Sequence, residues 1–301
     1  KSFEEIKTIS KEEAENRGLL NIIGKDVVDR YIDRVKNLSI NKQLIKEMGS
    51  QLKIVYTPIH GTGNKPVRRV LKELGFENVM VVSEQEMPDP EFPTVKFPNP
   101  EEPEVFELAI EMAKNNEADI IIGTDPDCDR VGVVVRGSDG RYIFLTGNQT
   151  GALLVDYVLG ALQRQGRLPA DGAVIKTIVT SEIGREIAKS YGIEAVDTYT
   201  GFKFICEKVQ EFEDEGDKTF LFGYEESFGY LAGDFVRDKD AVIASMLICE
   251  MAAYYKSRGM NLYDGLVELW QKFGYYHDAQ ESVYLEGREG MARIKEIMED
   301  F

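Results

Sequence analysis

The sequence has 301 residues, 43% of them hydrophobic, enough for one large core or two medium ones. Its 53 acidic and 36 basic residues leave a formal charge of -17, a surface that repels phosphate backbones and anionic membranes. Nucleic-acid and lipid binding are excluded as first readings, and an anionic small ligand must be held by local cations or a metal ion.

No apolar run reaches the length a membrane span needs. The nearest candidate, residues 241–255, is interrupted by Ser245 and Glu250 and reads as a buried helix. Three widely spaced cysteines, Cys128, Cys206 and Cys249, point to reduced thiols and a cytoplasmic setting. The sequence starts at Lys1 with no signal-like stretch after it, and reads as a piece of a longer chain.

In chain order, residues 52–57 form a β-branched strand that runs into Pro58-Ile59-His60-Gly61-Thr62-Gly63-Asn64, read as a tight strand-to-helix turn. Val67, Val70, Leu71 and Leu74 then recur at helical spacing up to Gly75, and residues 79–82 make the next strand. The same order returns later. Residues 173–177 are a strand, Thr180-Ser181 is a candidate helix cap, and Ile183, Ile187 and Tyr191 form a stripe that ends at Gly192 before a strand at 193–196. Each copy leads to an acidic loop: Ile120-Ile121-Ile122-Gly123 runs into Asp125, and Phe220-Leu221-Phe222-Gly223 runs into Glu225. The expected fold is α/β: two tandem, topologically similar three-layer α/β domains with mixed sheets, joined near residues 146–151. Ligands of such sheets sit beyond the carboxyl ends of the strands, where both acid loops fall.

The first loop carries Asp125, Asp127 and Asp129 at i, i+2, i+4. On an extended backbone these side chains point the same way, so three hard oxygen ligands converge on one divalent cation, expected to be Mg²⁺. Cys128 points away, and Arg130 is placed to reach a phosphate oxygen. An EF-hand fails, because loop positions six and twelve are Arg130 and Arg136. An aspartyl-phosphate phosphatase using Asp125 is disfavoured by Asp129, and a solvated acidic turn remains the plain alternative. The second loop, Gly223-Tyr224-Glu225-Glu226-Ser227-Phe228-Gly229, offers a carboxylate and a hydroxyl suited to neighbouring sugar hydroxyls, or is mere surface charge. Asp240, in Arg237-Asp238-Lys239-Asp240, is a candidate N-cap. Thr200-Gly201-Phe202-Lys203 permits a close backbone approach, and Lys176 at a strand end implies a partner. His60 and His277, the only histidines, read as structural.

Together these segments resemble the α-D-phosphohexomutases, the phosphoglucomutase/phosphomannomutase family. Gly-Thr-Asp-Pro-Asp-Cys-Asp-Arg is similar to its Mg²⁺ loop and Gly-Tyr-Glu-Glu-Ser-Phe-Gly to its sugar-recognition loop. Tyr-Thr-Pro-Ile-His-Gly-Thr-Gly, Phe-Pro-Asn-Pro-Glu-Glu-Pro-Glu, Tyr-Thr-Gly-Phe-Lys and Arg-Asp-Lys-Asp extend the similarity. The resemblance implies a four-domain enzyme that interconverts hexose 1- and 6-phosphates through a phosphoserine and a bisphosphorylated sugar, with a glucose 1,6-bisphosphate-type activator. It implies that Asp125, Asp127 and Asp129 hold Mg²⁺ and that Arg130 stabilises the transferred phosphoryl group. It places Glu225, Ser227, Thr200, Gly201 and Lys239 on the hexose phosphate, with Lys176 and Lys203 as further ligands. Residues 1–20 are then a linker from a missing first domain and 21–148 the metal-loop domain. Residues 149–273 are the sugar-binding domain, and 274–301 lead to a missing fourth domain. The family's Thr-Ala-Ser-His-Asn-Pro serine loop and its Arg- and Ser/Thr-rich phosphate loop have no counterpart in the sequence, and Pro126 and Cys128 stand where glycines are common. A stand-alone metal-dependent sugar-phosphate binding module is the other reading of such a chain.

Overall fold

The structure is a computed structural model that describes residues 6–279 and 285–300. Helices α1 (Lys11–Asn16), α2 (Lys25–Asn37) and α3 (Lys42–Met48) precede the first sheet, which is built from β1 (Lys53–Thr57), β2 (Asn78–Val81), β3 (Ile120–Thr124), β4 (Val131–Arg136) and β5 (Tyr142–Leu145) in the order β2-β1-β3-β4-β5. β1 runs parallel to β2 and β3, whereas β4 and β5 are antiparallel additions. Alternation along the strands divides the core: Ile54, Tyr56, Ile120 and Ile122 enter the main cluster, while Val55 and Ile121 pack with Phe106 and Ala109 in a smaller one. Helix α4 (Asn64–Leu74) ends at Gly75, whose φ of 114° is the left-handed stop anticipated from the sequence. A short helix α5 (Ser83–Glu86) and helix α6 (Glu107–Asn116) complete this unit, α6 covering the face opposite α4.

Helix α7 (Gly147–Arg164) opens the second unit with a capping box between Thr146 and Gln149. Its sheet contains β6 (Gly172–Thr177), β7 (Glu194–Thr198), β8 (Thr219–Tyr224) and β9 (Tyr230–Leu231) in the order β7-β6-β8-β9. β6 is parallel to β7 and β8, and β9 returns antiparallel. Strand for strand this repeats β2-β1-β3-β4, so the expected pair of similar mixed α/β sheets is present. Helices α8 (Ile183–Ser190) and α9 (Phe202–Glu215) flank it. The expected Thr180-Ser181 cap does not form: α8 starts after Glu182 with no side-chain cap. Thr180 is turned instead toward Thr177 and Glu226, because those partners satisfy its hydroxyl inside the protein.

Helix α10 (Ala241–Ser257) is apolar all round and buried along nearly its whole length, as the sequence suggested. It follows the second sheet in sequence yet packs on α3, α4, β3 and β4 as well as on α7. One hydrophobic cluster therefore runs from Ile32 to Leu269 through both units. Glu250, which the sequence presented as an interruption of α10, is fully buried and accepts four hydrogen bonds. Its donors are Ser39 Oγ (2.5 Å), the Ile40 and Asn41 amides (3.0 and 2.8 Å) and Tyr157 Oη (2.7 Å). Helix α11 (Leu262–Phe273) closes the unit, and α12 (Gly287–Asp300) has no buried residue. Of the expected connecting segments, residues 1–5, 280–284 and 301 lie outside the described residues. No helix among the described residues is long and apolar enough to cross a membrane.

Candidate functional site

The first acid loop is the connection of the β3–β4 hairpin. Its geometry corrects the expected extended backbone: the Cys128 amide donates to the Asp125 carbonyl at 3.0 Å, and Cys128 has a φ of 64°. The chain turns, and it is the turn that gathers the carboxylates. Asp125 Oδ1 accepts the amides of Asp129 and Arg130, each at 2.9 Å, which fixes the turn from inside. One carboxylate oxygen from each of Asp125, Asp127 and Asp129 lies within 4.8 Å of the others. Cys128 faces inward, where burial pushes its thiol up, with Asp240 and Asp125 adding to the effect.

The turn after β1 supports this loop from behind. Thr62 donates both its amide (2.8 Å) and its hydroxyl (3.0 Å) to the Pro126 carbonyl. A β-carbon on Gly61 would stand 2.4 Å from Pro126 Cα, and one on Gly63 would stand 2.7 Å from the Cys128 sulfur. The segment read as a plain tight turn is thus also the backing of the acid loop, and its glycines are there for close approach. His60 is buried with both ring nitrogens engaged, by Met87 O and Thr94 Oγ1.

The second acid loop connects β8 to β9, closed by the Glu225 amide on the Gly229 carbonyl at 3.0 Å. The two loops are bonded to each other. Arg130 pairs with Gly229 in an isolated antiparallel bridge, and the Val131 amide donates to the Phe228 carbonyl at 3.1 Å. Lys239 links them again, its Nζ on Asp129 Oδ2 and its chain beside Glu225. Arg130 Nη1 meets Glu101 Oε1 at 2.8 Å.

Electrostatics follow from this crowding. Burial, opposed by the Arg130 amide and helped by the neighbouring Asp129 and Asp127, pushes the Asp125 carboxyl up to about 7. Burial also raises Glu225, with Lys239 drawing it down and Glu226 adding to the rise. Three closely set carboxylates form an all-oxygen donor set that suits a hard divalent cation.

The structure brings Asp125, Asp127, Asp129, Arg130, Glu225, Ser227 and Lys239 to one place, but not the remaining predicted residues. Lys176 is fully buried, with Glu182 Oε1 at 2.7 Å, Asp197 Oδ1 at 3.1 Å and the carbonyls of Thr177 and Thr180 at 3.2 and 3.0 Å. Its ammonium is fully occupied by the protein. Thr200 and Gly201 lie at the β7–α9 turn, where Gly201 has a φ of 117° that a side chain would strain. Lys203 is exposed, its Nζ 4.8 Å from the Phe204 ring centre. No hydrogen bond ties Thr200, Gly201 or Lys203 to the cluster among the described residues.

Sequence reasoning missed Glu101, hidden in a proline-rich turn 29 residues from its arginine. It also missed the grip on Glu226, whose Oε2 accepts from Thr177 Oγ1 (3.1 Å) and Thr180 Oγ1 (2.9 Å). Glu101 and Glu226 line a cavity of about 560 Å³ with Phe144, Asn148, Phe228 and Asp278. Another cavity, of about 300 Å³, opens around the Asp119–Lys256 ion pair and contains no predicted site residue.

Residues 29–139 match the family model for phosphoglucomutase/phosphomannomutase alpha/beta/alpha domain II, and residues 146–273 match that for domain III. The phosphoglucomutase of Staphylococcus haemolyticus (strain JCSC1435) is 42% identical over 274 residues, 91% of this chain and 48% of that protein. The chain spans about half the length of the curated relatives it matches. Among solved structures, one described as a phosphomannomutase from Thermus thermophilus gives a TM-score of 0.68 at 24% identity, over 90% of this chain and 59% of that one. The Aspergillus fumigatus N-acetylphosphoglucosamine mutase in complex with GlcNAc-6P and magnesium gives 0.52 at 13% identity, over 77% and 52%. At such identities the likeness is one of fold. With both domain models in tandem and a 42% identical relative, the chain belongs to the phosphoglucomutase/phosphomannomutase family.

Proposed function

We propose that this chain is the central part of a phosphohexomutase of the cytoplasm, supplying the cation site and the sugar-reading loop for interconversion of hexose 1- and 6-phosphates. The observation that carries the reading is the direct bonding of the two acid loops, which sets Arg130 and Lys239 between three aspartates and the Glu225–Ser227 pair. In this reading residues 21–148 are the cation-holding domain and 149–273 the sugar-binding domain. The phosphoserine nucleophile and the phosphate clamp belong to parts of the protein before and after them.

Asp125, Asp127 and Asp129 would hold Mg²⁺, in keeping with their all-oxygen donors and with the magnesium in the Aspergillus fumigatus relative. When bound, the ion supplies positive charge against phosphoryl oxygens. Arg130, turned on Glu101 as its anchor, presents its remaining guanidinium donors to a phosphoryl group. Glu225 accepts from sugar hydroxyls and Ser227 donates to or accepts from them, while Lys239 offers an ammonium to the substrate's phosphate. Thr200 and Gly201 contribute from the neighbouring turn. Lys176 and Lys203 are the weakest members of the set: the first is saturated by protein partners and the second lies on the surface. A bisphosphorylated hexose is the expected activator of the whole enzyme.

Calorimetric titration with Mg²⁺ and then with glucose 6-phosphate tests the assignment, alongside an assay for glucose 1-phosphate isomerisation. The chain alone should bind both ligands and show no isomerisation of glucose 1-phosphate. Turnover by the chain alone, or absence of Mg²⁺ binding, overturns the proposal.

A further inference from the structure

Helix α2 holds the segment 232–240 of the second unit at three points. Leu38, at its C-terminal end, fills the space beside Gly233, where a β-carbon would stand 2.8 Å from Leu38 Cδ2. Tyr31 packs edge-on against Phe235 with ring centres 6.5 Å apart, and the Arg34 guanidinium lies 5.4 Å from the centre of the same ring. Most specifically, the Tyr31 hydroxyl donates to Asp240 Oδ2 at 2.7 Å, across 209 residues of sequence. Asp240 uses its other oxygen to cap α10, through the Val242 and Ile243 amides at 2.8 and 2.9 Å. Its neighbours on both sides touch the first acid loop. The Ala241 amide donates to the Cys128 carbonyl at 3.1 Å, and Lys239 places its ammonium on Asp129.

We infer that Tyr31 is a positioning residue: by fixing Asp240 it sets where the Lys239 ammonium stands relative to Asp129. The capping oxygen and the bridging oxygen of Asp240 are different atoms, so the two tasks separate. Tyr31→Phe removes the second bond and leaves the helix cap and the packing on Phe235 in place. This inference rests on the proposed cation site only for one of its two readouts.

The first readout needs no metal. Lys239, whose side chain is only 14% exposed, is acetylated with acetic anhydride in the folded chain and quantified by mass spectrometry. Labelling should rise about tenfold in Tyr31→Phe, in line with loss of a hydrogen bond to a charged group, while the acetylation of exposed Lys203 stays constant. Unchanged Lys239 labelling overturns the inference. The second readout is Mg²⁺ titration. An ammonium resting on Asp129 competes with a cation for that carboxylate, so its release should tighten Mg²⁺ binding about threefold. Glucose 6-phosphate binding should weaken at the same time. General loosening of the fold weakens both ligands, so opposite signs identify positioning. In a Lys239→Met background Tyr31→Phe should leave Mg²⁺ affinity unchanged, and a persisting effect there overturns the inference. If the parent chain binds no Mg²⁺, the proposed cation site fails, and the acetylation result still decides the role of Tyr31.

Discussion

The two acid loops arise from the same place in the same topology and solve their charge problem in opposite ways. Each follows the third strand of a repeated pattern and turns back into an antiparallel partner. In the second loop the carboxylates diverge: Glu225 lies against Lys239, and Glu226 is held by two threonine hydroxyls. In the first, three aspartates converge, with Lys239 and Arg130 the cations nearby among the described residues, and the Asp125 carboxyl is pushed up by burial and by its neighbours. The second loop, with its carboxylates held apart by protein donors, suits the sugar hydroxyls proposed for it. A loop left short of positive charge calls for a cation.

The most damaging test of this comparison is aimed at what holds the two units together. Glu250→Ala strips the shared partner from four donors, two buried and two half-buried, and should cost roughly 3 kcal/mol or more. Urea unfolding should show a lower midpoint, and if the units depend on their common core it should remain one transition. Next in size, Asp125→Asn should weaken Mg²⁺ by about a hundredfold, read by calorimetry, because the amide oxygen still accepts the Asp129 and Arg130 amides but carries no charge. Glu225→Gln should leave Mg²⁺ affinity within about twofold and weaken glucose 6-phosphate about tenfold. Exchange of those two outcomes would erase the division of labour.

The pH dependence sharpens the contrast further. A carboxyl held up at about 7 binds its proton more tightly in the folded than in the unfolded chain. The metal-free protein should therefore lose stability as pH rises from about 4, the ordinary carboxyl value, through 7. Saturating Mg²⁺ should flatten that slope, and Asp125→Asn should reduce it to what other buried carboxyls such as Glu225 and Asp240 contribute, both visible as melting temperature against pH. The smallest effect is expected from Thr180→Val: one of two hydroxyls on Glu226 is lost, and glucose 6-phosphate should weaken by about threefold or less.

Local pattern made much of this readable in advance. The repeated strand-helix-glycine-strand order predicted both sheets, and the Gly75 stop and Asp240 cap fell where their chemistry requires. Aspartate spacing predicted the convergence of the carboxylates but for the wrong reason, since an i, i+2, i+4 pattern says nothing of a left-handed residue at Cys128. What stayed hidden depends on partners distant in sequence. Lys176 looked like a ligand-seeking cation because Asp197 comes to it from the next strand, and because nothing in the pattern showed that the nearby Glu182 and Thr180 carbonyl turn back onto it. Glu250 looked like a flaw in an apolar helix for the same reason, and Tyr31 carried no local sign of its bond to Asp240.

The hydrogen bond from the Val131 amide to the Phe228 carbonyl makes the two loops mechanically one ribbon. If each loop takes the ligand proposed for it, occupancy at the aspartates and occupancy at Glu225 are joined by one free energy of coupling. Linkage makes that energy the same whichever ligand arrives first. A sugar phosphate that tightens Mg²⁺ by some factor is itself tightened by Mg²⁺ by that factor, and measuring one order of addition supplies the other.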